Sequence, residues 1–235
     1  MPPESRGGAR PRALLAWSGG KDAAWALHVL RQRGQVEVVG LLTTVTTEYQ
    51  RASMQGIRVE VLRAQAAAAC LPLLEAGIPA HCDNGAYDAA MARALAEAAA
   101  RWPGLRTAAF GDLFLADIRA YRAQRLAAVG WELLTPLFDA DTAALARQMR
   151  AGGLRAHLCC VDTRQLDARM AGRVFDESLL RELPAGIDPC GENGEFHTCV
   201  WDGPMFAAPL ALQRGDTVLR DDRFAYTDFT LAPPS

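Results

Sequence analysis

A glycine-rich turn near the start of the chain is the first candidate for chemistry. It consists of Ser18, Gly19, Gly20, Lys21 and Asp22, and it lies between a short apolar segment and a strongly helical one. Paired glycines allow a tight turn whose backbone N–H groups can approach an anion. The following helix directs the positive end of its dipole at that anion. The turn therefore predicts a phosphate site, with an ordinary strand–helix turn capped by aspartate as the alternative.

Lys21 strengthens the prediction of a phosphate site. It is the only lysine among the 25 basic residues of the chain. Lysine carries a compact point charge on a flexible stem, whereas arginine presents a wide planar fork. We therefore expect its ammonium to act as a mobile charge beside bound phosphate. The turn has neither the spacing of a Walker A loop nor that of the GxGxxG dinucleotide fingerprint.

A polar run near the C-terminus is the second candidate. It spans residues 188–198 and contains Glu192, Asn193, Glu195 and His197. Carboxylates, an amide and an imidazole grouped around two glycines could recognise an amine, an ammonium ion or a metal, and could supply a base. Asn-Gly is also the favoured two-residue turn of a β-hairpin, and the two interpretations are compatible.

A third candidate lies in the middle of the chain. Gly111 and Asp112 follow a predicted strand, at the end where open α/β sheets bind their ligands. Arg119 and Arg122 lie three residues apart on the predicted helix that follows, so they share a helix face. Such arginines could neutralise a triphosphate or a substrate carboxylate. A solvated helix face is the alternative interpretation.

These three motifs resemble a known family. The turn SGGKD is similar to the PP-loop signature, SGGxD[ST], of ATP pyrophosphatases with an adenine-nucleotide alpha hydrolase-like fold. The run GENGEFHT is similar to a motif of the diphthine–ammonia ligase (DUF71) family, and residues 111–122 resemble its middle motif in the bacterial branch. Ala23 departs from the signature, which has serine or threonine there and hence one more side-chain contact to phosphate.

The resemblance implies an ATP-dependent ligase with a Rossmann-like domain. Such an enzyme uses ATP and Mg²⁺, splits ATP into AMP and pyrophosphate, and adenylates a carboxylate that ammonia or another amine then attacks. In eukaryotic and archaeal members the substrate is diphthine on an elongation factor. For the bacterial branch we expect a small-molecule carboxylate instead.

The motifs and the resemblance together assign roles to individual residues. Those expected to bind ATP are Ser18, Gly19, Gly20, Lys21, Asp22 and Gly111. Those expected to act in catalysis are Lys21, Asp112, Glu192 and Glu195. Those expected to bind the substrate are Arg119, Arg122, Asn193 and His197. The expected magnesium ligands are Asp22 and Asp112.

The elements that must position these residues alternate between strand and helix. This order predicts a Rossmann-like, doubly wound parallel α/β sheet followed by a smaller C-terminal α+β region. We expect a disordered tail over residues 1–12, an ATP-binding domain over 13–138 and a substrate-binding region over 139–235. The third strand is expected over Ile78–Cys82, and a long polar loop that could act as a lid over Val45–Gly56.

Composition restricts the class of partner. The net charge is −2 and no block of like charges is present, which disfavours nucleic acid and anionic membranes. No apolar run approaches the ~20 residues of a membrane span, so we expect a cytoplasmic protein, with a homodimer as a possible assembly. The six cysteines lack a CxxC pair and are expected to be free thiols. Two rival functions stay open, a PP-loop enzyme that modifies RNA and a non-enzymatic ATP sensor of the same fold.

Overall fold

A six-stranded sheet forms the centre of the protein. The structure, a computed structural model, describes residues 10–233. Five strands are parallel in the order β4-β2-β1-β5-β6, and the short β3 pairs antiparallel with the end of β2. The strands are β1 (Arg12–Ala16), β2 (Glu37–Thr46), β3 (Arg51–Ala52), β4 (Leu73–Ile78), β5 (Thr107–Ala109) and β6 (Glu132–Leu134).

Helices cover both faces of this sheet. They are α1 (Lys21–Arg33), α2 (Val59–Ala68), α3 (Asn84–Arg101), α4 (Ala116–Ala128), α5 (Thr142–Ala151) and α6 (Glu177–Glu182). Successive side chains of a strand point to opposite faces. Leu15 accordingly packs into a core shared with α1, α2 and α5, whereas Leu14 packs into a second core shared with α3 and α4. The predicted doubly wound α/β fold is therefore confirmed.

Local signals explain where several helices begin and end. Asp83, Asp141 and Asp176 each accept a hydrogen bond from a backbone N–H in the first turn of α3, α5 and α6, respectively. Such caps satisfy N–H groups that have no partner within the helix. Helix α1 ends at Gly34, whose φ of 61° lies in the left-handed region that glycine adopts without strain.

A second, antiparallel sheet packs on the α1 side of the first. It consists of β7 (Arg155–Asp162), β8 (Phe196–Asp202), β9 (Leu212–Arg220) and β10 (Phe224–Leu231), in the order β8-β7-β10-β9. Its buried face shares one hydrophobic core with α1 and α2. The N–H of Val200 in β8 donates to the carbonyl of Gly19 at 3.0 Å, so this sheet directly contacts the glycine-rich turn.

The prediction of a strand over Ile78–Cys82 is wrong. Strand β4 ends at Ile78, and its residues 73–78 alternate between partly or fully buried and exposed side chains while pairing with β2. The preceding helix stops at Ala68, and Cys70 takes a left-handed φ of 55° that turns the chain into the strand. The apolar run of β4 is too short for the spacing of its residues to distinguish a strand from a helix.

Two further expectations concern chain segments. Residues 1–9 of the predicted tail lie outside the described residues, and β1 begins at Arg12. The polar loop expected over Val45–Gly56 contains strand structure, because its first two residues end β2 and pair with β3. The proposed division at residue 138 stays a prediction. Within residues 10–233, no helix is long and apolar enough to cross a membrane.

Candidate active site

A cleft of about 1460 Å³ brings the three motifs together. It opens at the carboxyl ends of β1 and β5, which are neighbours although the chain forms three strands between them. The chain winds from β1 towards β4 on one side and from β5 to β6 on the other. Open α/β sheets bind ligands where the strand order reverses in this way. The cleft is lined by the glycine-rich turn, by Gly111 and Asp112, and by most of residues 191–198.

The glycine-rich turn is held in place from behind by α2. Gly19 has a φ of 77°, and a Cβ there would lie 2.7 Å from Oε1 of Gln65. The amide of Gln65 is fully buried and donates to the carbonyls of Gly19, at 3.0 Å, and Val200, at 2.7 Å. The N–H of Gly20 donates to Oγ of Ser18 at 3.2 Å. Gln65 was missed in the sequence, because one glutamine on a helix carries no local signal.

The side chain of Lys21 is directed into the protein interior. Its side chain is only 2% exposed, and its ammonium donates to Oδ2 of Asp22 at 2.8 Å and to the carbonyl of Cys190. Its backbone N–H donates to Oγ1 of Thr198 at 2.9 Å. Burial is the largest influence and disfavours the charged form, but Asp22, Cys190 and Glu192 together outweigh it and raise the pKa of Lys21, so the ammonium stays charged. This arrangement differs from the mobile charge that we expected.

Asp22 and Asp112 each have one carboxylate oxygen without a partner among residues 10–233. These oxygens, Oδ1 of Asp22 and Oδ2 of Asp112, are buried and accept no hydrogen bond from that part of the chain. Gly111 brings the two loops together, because a Cβ there would lie 2.8 Å from the carbonyl carbon of Asp22 and 2.9 Å from the nitrogen of Ala23. Burial raises the pKa of both carboxyls, and each lies beside a cation that opposes this shift.

These two carboxylates fit a magnesium ion. Mg²⁺ prefers oxygen ligands and is usually held by one or two carboxylates together with substrate phosphates and water. Two buried carboxylate oxygens without a partner cost free energy unless a cation or a donor joins them. Within the described residues no group of three or more His, Cys, Asp or Glu side chains could hold a metal by itself. Two carboxylates match the kind of Mg²⁺ site that substrate phosphates and water complete.

The arginines of α4 divide between two surfaces. Arg122 lines the cleft, where its Nη1 lies 3.3 Å from Oδ1 of Asp112 and its guanidinium stacks 4.3 Å from the ring centre of Phe110. Arg119 lies outside the cleft, donates to Thr135 at 3.1 Å and stacks on Phe138. The structure therefore does not bring Arg119 to the other predicted substrate-binding residues. Its helix position turns it towards β6.

Arg125, one turn after Arg122, lines the cleft. Its guanidinium pairs with Asp88 of α3 at 2.9 Å, and the hydroxyl of Tyr121 donates to the same carboxylate at 3.0 Å. Asp88 and Tyr121 also line the cleft and were missed in the sequence. Asp88, Tyr121 and Arg125 therefore form one polar cluster on the wall of the cleft that α3 and α4 make.

Glu192 reaches across the cleft to the middle motif. Its Oε1 accepts a hydrogen bond from the N–H of Leu113 at 2.9 Å. Burial, assisted by the charges of Asp22 and Asp112, raises the pKa of Glu192 to about 7. A carboxyl that changes protonation near neutral pH can serve as a general base or acid. Glu192 is therefore a candidate for proton transfer.

Glu195 has a different environment. It is 1% exposed and does not line the cleft. Its Oε1 accepts hydrogen bonds from the N–H of Asp188 at 2.9 Å and from the amide of Asn193 at 3.1 Å. Glu195 thus braces the turn that presents Glu192, while Asn193 borders the cleft.

His197 and Thr198 follow Phe196, the first residue of β8, at the back of the cleft. His197 lines the cleft, and burial together with the charge of Lys21 lowers its pKa to about 4. The imidazole is therefore neutral at neutral pH. Thr198 is 2% exposed, and its hydroxyl accepts the N–H of Lys21 at the start of α1. This tie between β8 and α1 could not be read from the spacing of the motifs.

Two comparisons relate the chain to known proteins. Residues 141–226 match the family described as diphthamide synthase C-terminal domain. The chain is also 32% identical over 122 residues to the diphthine–ammonia ligase of Danio rerio. That alignment covers 49% of this chain and 48% of the relative, so the match spans about half the length of the relative.

Proposed function

We propose that the chain is an ATP-dependent ligase that adenylates a carboxylate and transfers ammonia or an amine to it, a proposal supported by its similarity to the diphthamide synthase C-terminal domain family and to a diphthine–ammonia ligase. The observation that carries this proposal is that the three motifs line one cleft, together with two carboxylate oxygens that have no partner in the described part of the chain. Membership of the bacterial branch, and with it a small-molecule acid as substrate, stays a prediction.

The glycine-rich turn is the proposed phosphate site. Ser18 and Gly20 line the cleft at the N-terminus of α1, where backbone N–H groups and the helix dipole favour an anion. The loop is rigidly backed by Gln65, which favours a fixed position for the phosphates. Ala23 offers no hydroxyl, so backbone donors carry this contact.

Asp22 and Asp112 are the proposed magnesium ligands. A bound Mg²⁺ would neutralise charge on the triphosphate and make pyrophosphate a better leaving group. The chain's own contribution is to hold the two oxygens ready, with Asp112 fixed by Arg122 and Asp22 fixed by Lys21. When the cleft fills, Arg122 is free to follow the phosphates or the substrate carboxylate, for which its planar fork is suited.

The proposed reaction has two displacements. In the first, a carboxylate oxygen of the substrate bonds to the α-phosphorus of ATP, the bond from that phosphorus to the bridging oxygen breaks, and pyrophosphate leaves. In the second, the nitrogen of ammonia bonds to the activated carbonyl carbon and AMP leaves with the oxygen it gained. The nitrogen must lose a proton, and Glu192 is the proposed acceptor because it borders the cleft with a pKa of about 7.

Substrate contacts are proposed for the α3–α4 wall of the cleft. Arg122 and Arg125 supply positive charge there, and Asn193 and His197 supply polar groups from the opposite side. Arg119 has no part in this proposal, since it lies outside the cleft. A neutral His197 can accept or donate one hydrogen bond without adding charge.

The test is the fate of ATP labelled with radioactive phosphorus at the α-phosphate. The protein is incubated with this ATP, magnesium, ammonium and a small-molecule cell extract. We expect labelled AMP that depends on the extract and is lost in Asp112→Asn, while Glu97→Gln on the exposed face of α3 serves as the matched control. Labelled ADP would contradict the proposal. Tight ATP binding without turnover would favour the sensor, and AMP formation stimulated only by RNA would favour the RNA-modifying enzyme.

A further inference from the structure

We propose that Lys21 is a positioning residue, whose buried ammonium clamps the Asp22 carboxylate to the Cys190 carbonyl and so joins the glycine-rich turn to the C-terminal turn. Lys21 acts through these groups and contacts no phosphate. The clamp itself is independent of the proposed ligase function. Its consequence for magnesium binding rests on that function.

The first observation is the environment of the ammonium. Lys21 is among the largest fully buried side chains of the protein, although it borders a wide cleft. Its Nζ lies 5.8 Å from the ring centre of Phe175 and 5.5 Å from that of Phe196, and both rings are 1% exposed. Aromatic faces attract a cation in such a setting. These contacts hold the ammonium on the side of the second sheet.

The second observation is how the donors of the ammonium are used. An ammonium has three N–H donors, and two of them go to Asp22 and to the carbonyl of Cys190. Asp22 thereby uses Oδ2 for the ion pair, and its Oδ1 has no partner among the residues that the structure describes. The ion pair thus fixes which oxygen of Asp22 remains for the proposed metal site.

The third observation is what the Cys190 carbonyl belongs to. Cys190 is 1% exposed and lies two residues before Glu192, which in turn bonds to Leu113 beside Asp112. Lys21 is separated from Cys190 by 169 residues and Glu192 from Leu113 by 79. The two contacts hold the C-terminal turn between the loops after β1 and β5. Lys21 therefore joins the glycine-rich turn to the C-terminal turn, and Glu192 joins the C-terminal turn to the middle motif.

The chemistry of the clamp accounts for the single lysine. A guanidinium is a wide, rigid fork, whereas an ammonium is compact and arranges its donors around one atom. The site between two phenylalanine rings, a carboxylate and a carbonyl suits the smaller group. A phosphate ligand on a surface turn would have no such restriction, because arginine also binds phosphate well.

The first test uses the unmodified protein and exploits its only lysine. An amine-acetylating reagent is applied to the empty protein, to the protein with ATP and EDTA, and to the protein with Mg·ATP, and acetylation of Lys21 is followed by mass spectrometry. The variant Arg181→Lys adds an exposed lysine on α6 as the reactive control. We expect Lys21 to react roughly tenfold or more slowly than that control in all three states, because a buried amine must wait for local opening. Rapid reaction in the empty protein, whether or not ATP protects it, would overturn the clamp.

The second test separates positioning from phosphate binding. In Lys21→Arg we expect the affinity for ATP in EDTA to stay within about threefold, while Mn²⁺ binding in the presence of ATP, read by electron paramagnetic resonance, weakens about tenfold. An equal loss of both affinities would identify a merely structural residue, and a loss confined to ATP in EDTA would identify a phosphate ligand. Either result overturns the proposal. If the wild-type protein binds no ATP, the proposed function fails, and acetylation of the empty protein still decides the clamp.

Discussion

The carboxylate of Glu192 accepts the backbone N–H of Leu113 at 2.9 Å across the cleft. This contact joins the C-terminal turn to the loop that carries Gly111 and Asp112. The same carboxyl is half-buried and close enough to Asp22 and Asp112 for their charges to raise its pKa. One hydrogen bond thus places a titratable group beside the proposed metal ligands.

The first prediction concerns Glu192 as a base. We expect the wild-type rate of amide formation to fall as the pH drops through about 7, because the protonated carboxyl cannot accept a proton. Glu192→Gln should lower the rate about 100-fold and remove this dependence. The measurement is kcat against pH, with Glu97→Gln as the control. A Glu192→Gln enzyme that keeps both the rate and the pH profile would exclude this role.

The second prediction concerns the close approach at Gly111. In Gly111→Ala the new Cβ would lie 2.8 Å from the backbone of Asp22, so the two loops must move apart. We expect Mg·ATP affinity to fall about tenfold or more, measured by titration calorimetry. Gly85→Ala in α3 is the matched control, because its Cβ would meet only Asp83 Oδ1 at 3.4 Å. Unchanged affinity in Gly111→Ala would show that the spacing of the two loops is unimportant.

The third prediction concerns the tie between β8 and α1. Thr198→Val removes the acceptor for the buried N–H of Lys21 and should lower the free energy of unfolding by about 1–2 kcal/mol. Thr198→Ser keeps the hydroxyl and should lose less. Urea unfolding of the two variants measures the difference. Equal stability of the Thr198→Val and Thr198→Ser proteins would mean that the hydroxyl does not stabilise the start of α1.

The fourth prediction concerns His197 and acid stability. Its pKa is about 4 in the folded protein and 6.5 ordinarily, so the unfolded chain binds its proton first as the pH falls. Stability from this residue is therefore complete above pH 6.5 and is lost between 6.5 and about 4. Glu192 has the opposite effect on stability. Because its pKa is raised in the folded protein, the folded chain binds this proton first as the pH falls and is stabilised by it. The comparison must therefore be between wild type and His197→Asn.

We expect the wild-type protein to lose about 2.5 kcal/mol relative to His197→Asn between neutral pH and pH 4.5. Urea unfolding of both proteins at the two pH values measures this difference. Parallel changes in the two proteins would show that His197 does not titrate differently in the folded and unfolded chains.

Much of the fold was predictable from local patterns. Gly34 ends α1, Asp83 caps α3, and the alternation of strands and helices indicates the parallel sheet. Strand β4 was misplaced because its short apolar run has no decisive period. Its position depends on pairing with β2, which is a property of the folded chain.

The composition of the site was predictable, but the direction of its side chains was not. The motifs containing Asp22, Asp112 and Glu192 line one cleft. Lys21 turns inward because its partner is a carbonyl 169 residues away, and Glu195 turns inward to brace a turn. Arg119 faces β6 because Phe138 and Thr135 lie there. Such orientations follow from long-range contacts that spacing along the chain does not contain.

The central claim is that a carboxylate, and not water, attacks the α-phosphorus of ATP. The most direct measurement is to run the reaction with ammonium and the cell extract in water enriched in oxygen-18. The mass of the AMP is then measured by mass spectrometry. Carboxylate oxygens exchange too slowly with water at neutral pH to become labelled on their own. We predict AMP without oxygen-18, because its new oxygen comes from the substrate. AMP that contains one oxygen-18 atom would show simple hydrolysis of ATP and would contradict the account.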